Sequence, residues 1–389
     1  MDQIHTDKPE AKKELLSLLP EELEELMLSL GEPRYRAGQI FRQLAQGKSP
    51  EEMTDIGKAT RAKLSTSATF FLPQAERKLV SAIDGTIKYL FRLSDGNCVE
   101  SVLMHYEHGT TICVSSQVGC AMGCRFCAST IGGKVRNLTA GELLGQVIAA
   151  AKDSGETIGG IVMMGIGEPL DNFDNVVKFL RLVNHPQGLN IGYRHISLST
   201  CGLVDRIDRL AELCLPITLS ISLHAADDET RNAIMPVNKR WNVETLLAAC
   251  RRYFEKTGRR ISFEYTLIAG KNDSTEAAKK LALLLNRSLR TRSETMPIHV
   301  NLIPVNEVEE TGFRRAGAKA VSAFASVLEQ NGIRATVRRK LGADINASCG
   351  QLRRAAAKEN ETGEQPVSSE RAETPFRRVL QKKPPNGVK

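Results

Sequence analysis

The spacing of apolar positions changes twice along the chain. At first it is helical. Leu23, Leu26, Met27 and Leu30 recur at three- and four-residue intervals after Leu15, Leu16, Leu18, Leu19 and Pro20, and Gly31 supplies a stop. Positions 36–45, closed by Gly47, and 57–64 repeat the pattern, so a small helical module is expected over 1–75. From about 75 to 114 apolar and polar residues alternate instead. Segments 77–82, 86–93, 98–105 and 110–114 read as strands, separated by Asp84-Gly85, Asp95-Gly96 and Gly109.

Beyond that point strands and helices take turns. Thr139 and Glu142 form a capping box at the start of a helix carrying Leu143, Leu144, Val147, Ile148 and Ala151. Further strands are expected at 160–164, 195–199, 218–223, 261–268, 298–303 and 335–338, with helices at 172–184, 205–213, 243–256, 275–288 and 317–330. Such alternation predicts parallel βαβ units. Counting from 110–114, six units fit in roughly 230 residues, short of the eight of a closed barrel. The expected fold is α/β. A partial (βα)6 barrel spans 109–352, behind a β extension at 76–108. The tail at 353–389, rich in Pro, Glu, Lys, Arg and Ser without an apolar face, is expected to be disordered.

Composition adds little to this picture. Hydrophobic residues make up 41% and charged residues 25%, which excludes a wholly disordered chain. No apolar run approaches the ~20 residues of a membrane span. The start, MDQIHTDKPEAKKELL, has no apolar core of a secretory signal, so a cytoplasmic location is expected. The net charge is +8, from 53 basic and 45 acidic residues. Nine basic and five acidic residues fall within 351–389, so half of the excess belongs to the tail. The charge permits a polyanionic partner without identifying one. The nine cysteines, an odd number in a long chain, point to metal or catalytic use rather than a disulfide framework.

Three of those cysteines form Cys120-x3-Cys124-x2-Cys127, on a loop after the first parallel strand, where barrel active sites lie. Three thiolates can hold three irons of a [4Fe–4S] cluster, and full protein ligation would need four. One iron would then stay open for chemistry. Phe126 beside the last cysteine would shield the cluster from water. The plainer alternative is zinc, held structurally in a protein without catalysis. Structural zinc usually takes four ligands, and the next cysteines, Cys201 and Cys214, lack the paired spacing.

The Cys-x3-Cys-x-aromatic-Cys spacing resembles the radical SAM superfamily. Five further segments narrow the resemblance: Gly165-Ile-Gly167-Glu168-Pro169-Leu170, Ser197–Gly202 ending in Ser199-Thr-Cys201-Gly, Ser222-Leu223-His224, Asn301–Asn306 and Asp344–Leu352. Together they resemble the RlmN/Cfr family of RNA adenine methyltransferases, strongly over about 76–352 and loosely over the amino-terminal helices. Pro169, Cys201 and Pro304 favour the branch that methylates adenine C2 over the Cfr-type branch that methylates C8.

Several roles follow from the resemblance. Cys120, Cys124 and Cys127 would hold the cluster. Gly167, Glu168, Ser199, Ser222, Leu223, His224 and Asn306 would bind S-adenosylmethionine (SAM), two molecules of which are used per turnover. Cys349 would carry a methyl group and Cys113 would resolve the protein–RNA adduct. Glu100 or Cys113 would take the C2 proton. The implied partners are ribosomal RNA, tRNA and a reducing electron donor such as a flavodoxin-type protein. The implied state is a monomer without a membrane.

Taken singly, most of these residues say little. A cysteine is usually core, and Cys98, Cys201, Cys214 and Cys250 are expected there. His224 alone reads as a core histidine. Candidate phosphate contacts are Lys58, Arg61 and Lys63, Arg251, Arg252, Lys256, Arg259 and Arg260, Arg287, Arg290 and Arg292, and Arg314, Arg315, Arg338, Arg339 and Lys340. Aromatic residues are only 5% of the chain, so shape and backbone recognition is expected rather than stacking on a platform.

Overall fold

A computed structural model describes residues 12–290, 296–345, 347 and 352. Its centre is a ten-stranded sheet whose strands lie in chain order. The first four are β1 (Gln74–Val80), β2 (Ile87–Arg92), β3 (Cys98–Tyr106) and β4 (Gly109–Cys113), paired antiparallel. Next come β5 (Ile158–Met163), β6 (Ile196–Thr200), β7 (Thr218–Ser222), β8 (Ile261–Leu267), β9 (Ile298–Pro304) and β10 (Arg334–Val337). From β4 onward every pairing is parallel. Helices follow the parallel strands: α4 (Ala140–Ser154), α5 (Phe173–Asn184), α6 (Val204–Glu212), α7 (Asp228–Ile234), α8 (Val243–Thr257), α9 (Thr275–Leu289) and α10 (Ala318–Gln330). Six βα units and a last strand result, and β1 and β10 do not pair, so the barrel stays open. All ten expected strands are present, each within a few residues of its expected bounds.

Local chemistry explains the elements. The Thr139 hydroxyl accepts from the Glu142 N–H and the Glu142 carboxylate accepts from the Thr139 N–H, both at 3.0 Å, so α4 starts as expected. Gly155, at φ +71°, ends it. Strand β8 is buried at every position, as a central parallel strand between helix layers should be.

The amino-terminal module holds α1 (Pro20–Ser29), α2 (Tyr35–Leu44) and α3 (Lys58–Ser67). Its Leu15, Leu16, Leu23 and Ile40 share one apolar core with Leu143, Leu144 and Phe179 of the barrel. Ser17 Oγ accepts from the Gly141 N–H at 2.7 Å, and Lys178 pairs with Glu22 at 2.7 Å.

The sequence pattern missed several short elements, among them the parallel pair Lys13–Glu14 and Ala68–Thr69. A hairpin of Gln117–Gly119 and Lys134–Asn137 encloses the cysteine loop. The seven-residue α7 is too short to show a period. Two cysteines also depart from expectation. Cys250 and Cys201 are buried, but Cys214 is exposed at φ +47° after α6, and Cys98 is half-buried at the start of β3. Cys349, Arg292 and the tail from 353 lie outside the described residues.

Candidate functional site

Two adjoining cavities open at the carboxyl ends of the parallel strands. The first, of about 210 Å³, is lined by Cys120, Cys124 and Cys127, by Gly165, Gly167 and Glu168 after β5, by Ser199 and Cys201, by Ser222 and His224, and by Glu264 of β8. The second, of about 350 Å³, is lined by Glu100 and Cys113, by Asn301, Pro304 and Asn306, and by Arg315, Arg338, Arg339, Lys340 and Ala347. Met164, Gly165, Ile303 and Arg338 border both. Motifs far apart in sequence therefore meet because each closes a strand of one curled sheet.

The cysteine loop is shaped by its hairpin. The Cys120 N–H donates to the Gly133 carbonyl at 3.0 Å, and the Cys127 N–H to the Cys124 carbonyl at 3.1 Å. Thr130 Oγ1 donates to the carbonyls of Cys124 and Cys127 at 3.1 and 2.9 Å. Burial, then the neighbouring cysteine charges, pushes the Cys124 thiol far up. Burial raises Cys120 to about 12. Cys120 is buried and Cys124 and Cys127 are half-buried; three thiolates on one short loop need positive charge among them, and metal ions supply it. Among the described residues no three Cys, His, Asp or Glu side chains converge closely enough for a single metal ion. The three thiols border a wider cavity, which fits a multi-iron cluster with each thiolate on its own iron.

Glu168 is 3% exposed. Its carboxylate accepts from the Leu170 N–H at 3.0 Å and the Cys201 N–H at 2.7 Å. Burial raises its pKa, and these hydrogen bonds oppose the rise. His224 is buried at φ +58°, and its ring meets Phe126 edge-on at 5.0 Å. Its Nδ1 accepts from the Thr266 N–H at 2.9 Å, which places the ring proton on Nε2. Burial, then the Arg231 charge, lowers its pKa to about 3, so the ring is neutral. Asn272 fixes the loop by donating to the carbonyls of His224 and Thr266 at 2.8 and 2.7 Å.

In the second cavity Glu100 faces Lys88 across a buried 3.1 Å ion pair. Cys113 is 8% exposed, and burial raises its thiol pKa.

Two expected residues fall elsewhere. Leu223 is fully buried and lines neither cavity, although its N–H donates to the Glu264 carbonyl at 3.1 Å. Asn306 is exposed and lines the second cavity rather than the one beside the cysteines. Glu264 was not foreseen. It is 4% exposed, accepts from Asn301 Nδ2 at 2.7 Å and from Ser262 Oγ at 3.1 Å, and its signal was an acid inside the apolar run Ile-Ser-Phe-Glu-Tyr-Thr-Leu.

Comparison with known proteins is decisive. Residues 114–282 match the model of the radical SAM superfamily, and residues 13–70 match that of the ribosomal RNA large subunit methyltransferase N-terminal domain. The chain is 51% identical over 344 residues to the "Probable dual-specificity RNA methyltransferase RlmN" of Alkaliphilus oremlandii, covering 88% of this chain and 98% of that one. The chain belongs to the RlmN family. An RlmN protein of Clostridium perfringens is likewise 51% identical, over 89% of this chain and 98% of its own. The crystal structure of a radical SAM methyltransferase from Sphaerobacter thermophilus superimposes with a TM-score of 0.81 at 45% identity, over 87% of this chain and 98% of that one.

RlmN membership makes the protein a radical SAM methyltransferase whose cofactors are a [4Fe–4S] cluster and SAM. It removes the reading as a zinc protein without catalysis. No described helix is long and apolar enough to cross a membrane.

Proposed function

We propose that this RlmN-family enzyme methylates C2 of an adenosine in large-subunit ribosomal RNA and in tRNA, with Cys349 as methyl carrier and Cys113 as resolving cysteine. The observation that carries this reading is the shared wall between the two cavities. A cysteine trio suited to cluster and SAM stands beside a chamber holding Cys113 and Glu100, with Arg315, Arg338, Arg339 and Lys340 around it. The relatives' name, dual-specificity RNA methyltransferase, supports RNA as the substrate, and the match of residues 13–70 to a ribosomal RNA large subunit methyltransferase domain supports ribosomal RNA.

Adenine C2 lies between two ring nitrogens and is a poor nucleophile, so polar methyl transfer from SAM does not serve and radical chemistry does. Cys120, Cys124 and Cys127 would hold the cluster, with Gly167, Glu168, Ser199, Ser222 and His224 around SAM. Bound together, cluster and SAM supply a hydrogen-abstracting 5′-deoxyadenosyl radical. Cys349, as thiolate, takes a methyl group from one SAM. After a hydrogen is removed from that methyl, its carbon would bond to adenine C2 and link protein to RNA, the adduct's unpaired electron being taken up by the oxidised cluster that Cys120, Cys124 and Cys127 would hold. Glu100, paired with Lys88, or Cys113 would accept the C2 proton. The Cys113 thiolate would then attack the Cys349 sulfur and break its bond to the methylene carbon, which takes up a proton to complete the methyl group on adenine C2; a Cys113–Cys349 disulfide is left for external reduction.

The barrel's basic residues divide by position. Arg252 pairs with Asp208 at 2.7 Å, Lys256 with Glu212, and Arg251 with Glu255 at 4.0 Å. Those α8 charges are engaged within the protein, whereas Arg315 and Arg338–Lys340 line the cavity that would receive the base. The target adenine leaves its stack to enter it. The amino-terminal module docks RNA in this reading, and the enzyme is a cytoplasmic monomer served by a flavodoxin-type reductant.

Mass spectrometry of the Cys349 peptide after expression tests the proposal. A cysteine one methyl group heavier than the unmodified residue supports it, and an unmodified peptide from active enzyme overturns it. Mapping the product methyl to C8 would overturn the C2 assignment.

A further inference from the structure

Arg231 of α7 is fully buried. Its Nε donates to the Leu223 carbonyl at 3.0 Å, Nη1 to Asn238 Oδ1 at 2.9 Å, and Nη2 to the carbonyls of Cys201 at 2.7 Å and Ser222 at 3.1 Å. One guanidinium thus ties the end of β6 to the end of β7. These are the two strand ends that present Ser199, Ser222 and His224 to the first cavity. Cys201 is held on both sides, because its N–H donates to Glu168 while its carbonyl accepts from Arg231.

All four acceptors are neutral. The Asp228 carboxylate is reached only through Asn238, whose Nδ2 donates to Asp228 Oδ1 at 2.9 Å. A buried cation with neutral partners is costly unless negative charge stands nearby. The cysteine loop packs against the end of the same helix α7, where the Arg125 N–H, between Cys124 and Cys127, donates to the Ile234 carbonyl at 2.9 Å. A [4Fe–4S] core bound by three thiolates is itself a net anion and gains a further negative charge on reduction, so a fixed buried cation favours its reduced form.

We propose that Arg231 is a positioning residue that locks the ends of β6 and β7 around SAM and whose buried charge raises the reduction potential of the cluster. This rests on Cys120, Cys124 and Cys127 being the cluster ligands.

The test compares wild type, Arg231→Gln and Arg231→Lys after anaerobic reconstitution. It reads iron content, an EPR-monitored redox titration, SAM affinity and Tm. The glutamine variant keeps a donor and loses the charge. At the potential where half the wild-type clusters are reduced, on the order of tenfold fewer of its clusters should be. The lysine variant keeps the charge, but its single nitrogen cannot span the carbonyls that Nε and Nη2 of Arg231 reach from separate positions. Its potential should stay at the wild-type value while SAM binds about tenfold more weakly.

Wild-type potential in a folded, loaded Arg231→Gln overturns the electrostatic role, as does an equal shift in both variants. Unchanged SAM affinity in Arg231→Lys overturns the positioning role, and that result stands even if Arg231→Gln does not fold. A wild-type protein that takes up no iron overturns the ligand assignment instead.

Discussion

The Lys88 ammonium and the Glu100 carboxylate meet at 3.1 Å with 1% and 2% of their side chains exposed. They sit diagonally on neighbouring strands, since Lys88 is opposite Val102 and Leu90 is opposite Glu100. Removing one partner leaves the other charge buried, at a cost of about 3–5 kcal/mol. Lys88→Met should therefore lower stability by that amount in urea unfolding. Adding Glu100→Leu to it should recover most of the loss. A single variant as stable as the parent would show that the pair is solvated.

Gly119 precedes the first cysteine at φ +77°, and a Cβ there would lie 1.9 Å from the Gly133 carbonyl oxygen. That oxygen also receives the Cys120 N–H. Gly119→Ala should spread the hairpin, displace Cys120 and lose most of the iron on anaerobic reconstitution. Gly132 is the control: it has φ +88° but open space around its Cβ, so alanine there adds only about 1–2 kcal/mol of backbone strain. Gly132→Ala should keep its iron, and full iron in Gly119→Ala would contradict the close packing.

The order of elements was legible because its signals are local. Alternation in 98–105 and the Thr139–Glu142 box require no knowledge of the rest of the chain. The cysteine spacing is local too, and it named the cluster loop. What stayed hidden depends on partners distant in sequence. Nothing near Arg231 shows that its guanidinium reaches the carbonyl of Cys201, thirty residues earlier. Lys88 reads as the polar half of an alternating strand, yet the curl of the sheet buries it. Cys214 errs the other way, since apolar neighbours suggested core while the helix end turns it outward. Asn306 matched a motif, but the chain past β9 carries it to the second cavity.

Two aspartates clamp the chain that leads toward Cys349. The Asp344 carboxylate accepts from Ser81 Oγ at 2.7 Å and the Ala82 N–H at 2.8 Å. Asp84 accepts from the Gly342 N–H at 2.9 Å. Burial pushes Asp84 up, but hydrogen bonds from Gly342, Thr86 and Ser81 outweigh it and hold the carboxyl at about 2. A depressed carboxyl stabilises the fold fully above its unfolded value of 3.8, and that stability is lost as pH falls through about 2. Asp84 is only half-buried, so after solvent screening the contribution is about 0.5–1 kcal/mol. Asp84→Asn should be less stable than the parent by that margin at pH 6, with the gap closing near pH 2. A gap that persists in acid would assign the effect to geometry rather than charge.

Cys113 ends β4 in the chamber with Glu100, and burial keeps its thiol protonated at rest. If it acts only to resolve the adduct, its loss should spare every earlier step. Cys113→Ala should still methylate Cys349 and should accumulate a protein–RNA crosslink that survives denaturing electrophoresis. Cys349→Ala should give neither crosslink nor product, because nothing carries the methyl group. Glu100→Gln separates the two candidates for the C2 proton. If Glu100 is the acceptor, this variant should slow product release by about 10²–10⁴-fold, the usual contribution of a positioned base, and should also accumulate the crosslink. Wild-type product release in Glu100→Gln would return the proton to Cys113. Normal methylation by both cysteine variants would exclude the two-cysteine route altogether.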